Sequence, residues 1–133
     1  RSSGDIQDSV WVGYAKGNPT VIEGLHKIRA AARPMANGLQ QDRRNLVVQS
    51  FKDVCEGVDM IDTSLHDPFR EVVEPLLESG SIAAWKALGA GGGGCAALLC
   101  SPSGRDDTIA SVEGAGWELI EWDYDGEGVR IAH

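Results

Sequence analysis

The 133-residue sequence has few cysteines, no long hydrophobic run and a deficit of positive charge. Its three cysteines, Cys55, Cys95 and Cys100, supply neither a disulfide framework nor metal-ligand spacing. Thiols in that number and arrangement suit a reducing compartment, so a cytoplasmic protein is expected. No apolar stretch approaches the roughly 20 residues that a membrane-spanning helix needs. Residues 1–15 lack the basic start and apolar core of a signal peptide. The chain begins at Arg1 rather than Met, which reads as a fragment or a processed product. Lys and Arg number 12 against 20 Asp and Glu, a net charge of −8. That balance argues against nucleic acid, whose affinity rests on contacts from Lys and Arg to phosphate. A small phosphate ligand stays open, because backbone amides and helix N-termini supply a local positive field.

Glycine, by contrast, is plentiful, and five of the six residues from Gly89 to Gly94 are glycine. Two apolar runs, Ile82–Leu88 and Cys95–Cys100, flank this stretch. Glycine costs backbone entropy, so such density needs a reason. One is close backbone approach to a ligand, with successive N–H groups aimed at an anion. The other is a flexible linker, but linkers are polar and Ser-rich, and this stretch sits between apolar runs. Gly89-x-Gly91-x-x-Gly94 fits the dinucleotide fingerprint in letters only. Ser101-Pro-Ser-Gly104 follows too soon for a crossover helix, and too few residues remain for a doubly wound sheet. A Walker loop fails because Cys95 stands where Lys-Ser/Thr is required.

Along the chain, residues 4–16 read as a helix with Ile6, Val10 and Tyr14 on one stripe, ended by Gly17-Asn-Pro19. From Thr20 to Gln41, Ile22, Leu25, Ile28, Ala32, Met35 and Leu39 recur at helical spacing. Pro34 is expected to kink or split that helix. Asp42 reads as the N-cap of a third helix carrying Leu46, Val47, Phe51 and Val54. Gly57 to His66 reads as a loop. Asp67-Pro68 starts a helix burying Phe69, Val72, Val73, Leu76 and Leu77, with Pro75 as a second kink point and Gly80 as its C-cap. The two apolar runs read as paired strands around the glycine loop. Arg105–Ala115 reads as a helix, Trp117–Trp122 as a strand, 123–128 as a turn and Val129–Ala132 as a last strand. The expectation is one α+β domain over 1–133, mainly helical in 1–80, then β–Gly loop–β–α–β–β in 81–133.

Lys86-Ala-Leu-Gly-Ala-Gly-Gly-Gly-Gly-Cys95 resembles the third, C-terminal motif of the GHMP kinases, the superfamily of galactokinase, homoserine kinase, mevalonate kinase and phosphomevalonate kinase. Arg1-Ser-Ser-Gly-Asp5 is similar to the Arg-Ser-Ser/Ala segment that begins the C-terminal helices in the D-glycero-D-manno-heptose 7-phosphate kinase branch. Gly24-Leu-His-Lys-Ile-Arg29 resembles that branch's Leu-His-Arg-Ile helix, and Gly126-Glu-Gly-Val-Arg-Ile131 its final strand. The resemblance implies a ferredoxin-like antiparallel sheet covered by helices. It also implies that the family's first strand, which precedes the Arg-Ser-Ser segment, is missing here. A second chain, a second copy or Val129–Ala132 is expected to fill that place.

By the same resemblance the chain is the C-terminal portion of an ATP-dependent kinase of a sugar or sugar phosphate, nearest the heptose-phosphate kinases. Gly89, Ala90, Gly91, Gly92, Gly93, Gly94 and Cys95 would help shape the site where phosphates and acceptor meet, and Arg1 is a candidate substrate contact. ATP and Mg2+ are implied, held mainly by an N-terminal domain. The family's Pro-x-x-x-Gly-x-x-Ser-Ser phosphate loop and its catalytic acid are absent from residues 1–133, so these residues alone are expected to be catalytically silent. The alternative is a non-catalytic ferredoxin-like module that binds a small anion or a partner chain.

Other residues carry weaker readings. His26 sits beside apolar helix positions and reads as a packed or solvent-edge histidine before a catalytic base. His66 and His133 have no second metal ligand at the right spacing. Arg43, Arg44 and Arg70 read as surface arginines. Asp106 and Asp107 fit the first turn of a helix. Asp123, Asp125 and Glu127 alternate like calcium ligands without the rest of the loop. Trp11, Trp85, Trp117 and Trp122 read as core or sheet face. Cys95, beside the loop, is the thiol to test for reactivity.

Overall fold

The structure is a computed structural model that describes residues 2–123, 125 and 126. Arg1, His133 and the expected strand Val129–Ala132 lie outside the described residues. Within them the chain forms an α+β fold of five α-helices and a two-stranded antiparallel sheet.

Helix α1 (Ser3–Ala15) opens with a capping box, in which Ser2 and Asp5 satisfy each other's backbone N–H groups. Helix α2 (Pro19–Gln40) starts from Asn18, whose Oδ1 accepts from the N–H groups of Thr20 and Val21, with proline pre-set in the first turn. The expected split at Pro34 does not occur: α2 runs through it as one helix. A proline removes one backbone bond, and the long packed interface with the next helix offsets that loss.

Helix α3 (Arg44–Asp62) begins one residue later than expected. Asp42 is not its N-cap. It has a φ of 52° and ends α2: the N–H of Arg43 donates to the Gly38 carbonyl at 2.8 Å. That is the six-to-one bond of a Schellman turn, with aspartate tolerated in the left-handed position. Nor is 57–66 a loop. Helix α3 continues to Asp62, and a 3₁₀ turn (Thr63–Leu65) follows.

Helices α2 and α3 cross where two glycines meet. A Cβ on Gly24 would lie 2.6 Å from the Gly57 carbonyl, and one on Gly57 would lie 2.8 Å from the Gly24 carbonyl. Only backbone fits there. A salt bridge from Lys27 to Glu56 at 2.9 Å closes the rim of the crossing.

Helix α4 (Asp67–Glu78) buries Phe69, Val73 and Leu76, while Val72 is half-buried and Leu77 is exposed. It leads into strand β1 (Ile82–Ala87), the glycine loop and strand β2 (Ala96–Cys100). The strands pair from Ile82↔Cys100 to Ala87↔Ala96, with an irregularity between Ile82 and Ala84. An isolated hairpin is marginal in water, so this one depends on its helical cover. Helix α5 (Arg105–Gly114) supplies part of it: Phe69, Val73, Leu76, Ile82, Trp85 and Val112 form the core.

Residues 117–122 do not form the expected strand. Trp117 packs edge-on against Phe69, with ring centroids 5.9 Å apart, and its N–H donates to the Val112 carbonyl. Beyond it, Leu119, Ile120 and Trp122 are exposed. An alternating apolar pattern records what a segment can bury, and it becomes a strand only beside a free partner edge.

Candidate functional site

The glycine loop is a built turn, not a linker. The N–H of Leu88 donates to the Cys95 carbonyl at 2.8 Å and closes its base. Gly91, Gly92, Gly93 and Gly94 follow one another with φ of 80°, 73°, 140° and 86°, and Gly89 has 79°. A run of four positive φ values is open to glycine and strained for any other residue.

The glycines divide into two groups. Gly91 and Gly92 are wedged against the body of the fold: the Gly92 N–H donates to the Leu65 carbonyl at 2.8 Å. A Cβ on Gly91 would stand 3.1 Å from Leu65 Cβ, and one on Gly92 would stand 2.9 Å from Ile6 Cδ1. Gly89, Gly93 and Gly94 face open space, and their N–H groups donate to no protein acceptor among the described residues. Cys95 beside them is exposed. The sequence therefore brings Gly89 to Cys95 together as one loop, whose outer members have no backbone acceptor among the described residues. Arg1, the other candidate, lies outside the described residues.

A cleft of about 470 Å3 opens between α1, the start of α2 and the end of α3. Ser9, Val10 and Gly13 of α1 form one wall, Asn18 and Val21 another, and Asp59, Ile61, Asp62 and Thr63 the third. None of the loop residues lines it; Ile6 and Leu65, which meet Gly91 and Gly92, lie three residues before Ser9 on α1 and two residues after Thr63. Two carboxylates at its rim make it better suited to hydroxyl groups than to anions.

Behind the cleft lies a polar cluster that sequence spacing did not indicate. His66 is only 1% exposed. Its Nδ1 lies 2.9 Å from Asp59 Oδ1, and because an ionised carboxylate only accepts, Nδ1 carries the proton. Arg70 Nη2 donates to the same oxygen at 2.9 Å and to the Thr63 carbonyl at 3.3 Å. The His66 ring packs against Trp85 with ring centroids 4.7 Å apart and the planes tilted by 57°. Burial lowers the His66 pKa, and Asp59 only partly opposes that shift. Arg70 is held above its ordinary value, burial being outweighed by Asp59, Glu74 and Asp67.

The remaining candidates fall into two groups, those with structural contacts and those exposed on the surface. Arg44 Nη2 donates to the Cys100 carbonyl at 2.6 Å. The Cys55 thiol donates to the Trp85 carbonyl at 2.8 Å, and burial, then Asp59, pushes its pKa up to about 12. His26 is exposed, and Asp106 and Asp107 sit in the first turn of α5. Trp85 is core and Trp117 packs against it, but Trp11 and Trp122 are 66% and 86% exposed, contrary to expectation. No cluster of His, Cys, Asp and Glu among the described residues could hold a metal ion. No described helix is long and apolar enough to cross a membrane.

Comparison with known proteins bears on the class of this site. No family model matches the chain, and no solved structure does. The chain is similar to a mevalonate kinase of Candida albicans, 28% identical over 116 residues, which cover 84% of this chain and 26% of that enzyme. It thus spans about a quarter of the length of the curated relative it matches. The likeness supports the GHMP superfamily at most, and it does not distinguish the heptose-phosphate branch. The α+β fold is compatible with a GHMP C-terminal domain.

Proposed function

We propose that these residues are the C-terminal portion of an ATP-dependent small-molecule kinase of the GHMP type, with a ferredoxin-like sheet completed by polypeptide beyond the described residues. The observation that carries this reading is the loop: a closed turn of consecutive positive-φ glycines whose outer N–H groups have no acceptor among the described residues, in a segment that reads as the family's third motif. Phosphoryl transfer is catalysed largely by positioning and charge stabilisation, for which fixed backbone donors are suited. Gly89, Gly93 and Gly94 would meet phosphate oxygens, and the cleft between α1, α2 and α3 would take the hydroxylated body of the acceptor. ATP with Mg2+ would be held mainly by the rest of the kinase.

The acceptor we propose is a sugar or sugar phosphate, on the strength of Arg1-Ser-Ser and Leu25-His-Lys-Ile28 at the positions where the heptose-phosphate kinases carry similar segments. The likeness to mevalonate kinase favours a hydroxy acid as the second reading.

The sheet supports a missing companion. In the β1–β2 ladder the Leu88–Cys95 bond fixes the phase, so Trp85, Ala96 and Leu98 turn their backbone groups outward. The Trp85 carbonyl is covered by Cys55 of α3, and the Cys100 carbonyl by Arg44. The N–H and C=O groups of Ala96 and Leu98 meet no partner among the described residues, and β2 itself carries neither a charged residue nor a proline, the Arg44 guanidinium reaching the edge only at Cys100.

The test is a kinase assay on the polypeptide that carries this chain together with a phosphate-loop half. The substrates are ATP with Mg2+ and a panel of heptose 7-phosphate, unphosphorylated sugars and mevalonate. Turnover of a sugar or sugar phosphate is expected. Turnover of mevalonate alone would replace the acceptor. Pyrophosphate or partner binding without any phosphorylation would favour a non-catalytic module.

A further inference from the structure

We infer that His66 is a positioning residue for the glycine loop, holding the loop's inner half so that the N–H groups of its outer half face a phosphate. The inference rests on the phosphate-loop reading above and concerns what sets the loop's shape.

The loop has two attachments, and His66 touches both. On the strand side, β1 delivers the chain into the loop, and its Trp85 meets the His66 ring in a tilted contact with centroids 4.7 Å apart. On the body side, Leu65, the residue before His66, accepts the Gly92 N–H at 2.8 Å and packs where a Cβ of Gly91 would stand. The backbone that presents the Leu65 carbonyl is a single 3₁₀ turn, too short to keep its own geometry. It is fixed from outside. Asp62 Oδ1 accepts from the N–H and hydroxyl of Ser64. Arg70 grips the Thr63 carbonyl, and the His66 imidazole is pinned to Asp59 at 2.9 Å. Asp59 in turn receives Arg70 at 2.9 Å. Loss of the imidazole leaves the turn's last residue without its anchor and Trp85 without its neighbour, and the Gly92 bond is the first to feel both changes.

A neutral histidine with its proton on Nδ1 suits this part. Asparagine places an amide N–H near the same point, whereas leucine fills the space without the donor.

The experiment uses the 133-residue chain, amide-resolved NMR and inorganic pyrophosphate as probe. In His66→Leu, hydrogen exchange at the Gly92 amide is expected to rise about tenfold, and pyrophosphate to bind the loop about tenfold more weakly. In His66→Asn both return to within about twofold of the parent, a rescue that follows the donor and not the ring. Asp59→Ala, at a partly exposed site, is expected to shift the Gly92 amide in the same direction, and it decides the matter if His66→Leu does not fold. Unchanged Gly92 exchange in the folded variants would overturn the inference. If pyrophosphate moves no loop amide in the parent, the phosphate reading fails, while Gly92 exchange still decides the role of His66.

Discussion

His66 is also where a single residue should make stability depend on pH. Its pKa is lowered from 6.5 by burial, with Asp59 pulling the other way and Arg70 and Asp67 nearby. As pH falls through 6.5, the unfolded chain takes up a proton that the folded chain refuses, so stability declines toward the lower, folded-state pKa. The melting temperature should therefore drop between about pH 7.5 and pH 5, and less steeply in His66→Asn. Parallel profiles for the two proteins would show that carboxylates, not His66, set the slope. The loop glycines make a second comparison at this scale. Gly94→Ala meets only the left-handed strain of its φ of 86°, about 1–2 kcal/mol. Gly92→Ala meets that strain and Ile6 Cδ1 at 2.9 Å as well. Denaturant unfolding should rank Gly92→Ala below Gly94→Ala in stability, while pyrophosphate affinity falls in both. Equal stability losses would mean that the Ile6 contact yields freely.

At the scale of elements, the α2–α3 crossing is the joint on which the helical layer depends. Gly24→Ala drives a methyl toward the Gly57 carbonyl, a backbone atom that cannot step aside as a side chain can. The two helices must separate, and the expected loss is about 1–3 kcal/mol in equilibrium unfolding. A neutral result would place the true crossing elsewhere. This joint also marks how far the sequence could be read. The helices and the β1–β2 hairpin were legible because spacing, caps and apolar runs are local signals. Asp42 is ambiguous in sequence because aspartate serves both as an N-cap and as a left-handed residue, and only the Arg43–Gly38 bond tells which. Segment 117–122 carries a strand pattern but has no strand partner. The Gly89–Gly94 loop was legible as a candidate, yet its division into wedged and open glycines depends on Ile6 and Leu65, which lie far away in sequence. His66, Asp59 and Arg70 meet across three elements, and no motif spacing announces that.

For the whole molecule, the open question is whether the hairpin stands as the complete sheet. Strand β1 is covered at its outward Trp85 carbonyl by the Cys55 thiol, whereas β2 is capped by Arg44 only at Cys100 and presents Ala96 and Leu98 outward without a partner among the described residues. The ladder alternates, so Ala97 and Leu99 point their N–H groups into the sheet and Ala96 and Leu98 point theirs away. Hydrogen exchange on the 133-residue chain should then be slow at Ala97 and Leu99 and fast at Ala96 and Leu98. The same chain, lacking the Ser-Ser phosphate loop, should turn over no ATP against a sugar phosphate. If the companion strand belongs to the phosphate-loop half of a kinase, adding that half should slow exchange at Ala96 and Leu98 and restore phosphorylation together. Protection at all four amides in the isolated chain would mean that the edge is already paired, and the case for a missing strand would fall. Protection gained on mixing without turnover would leave the pairing intact and move the function toward a binding module.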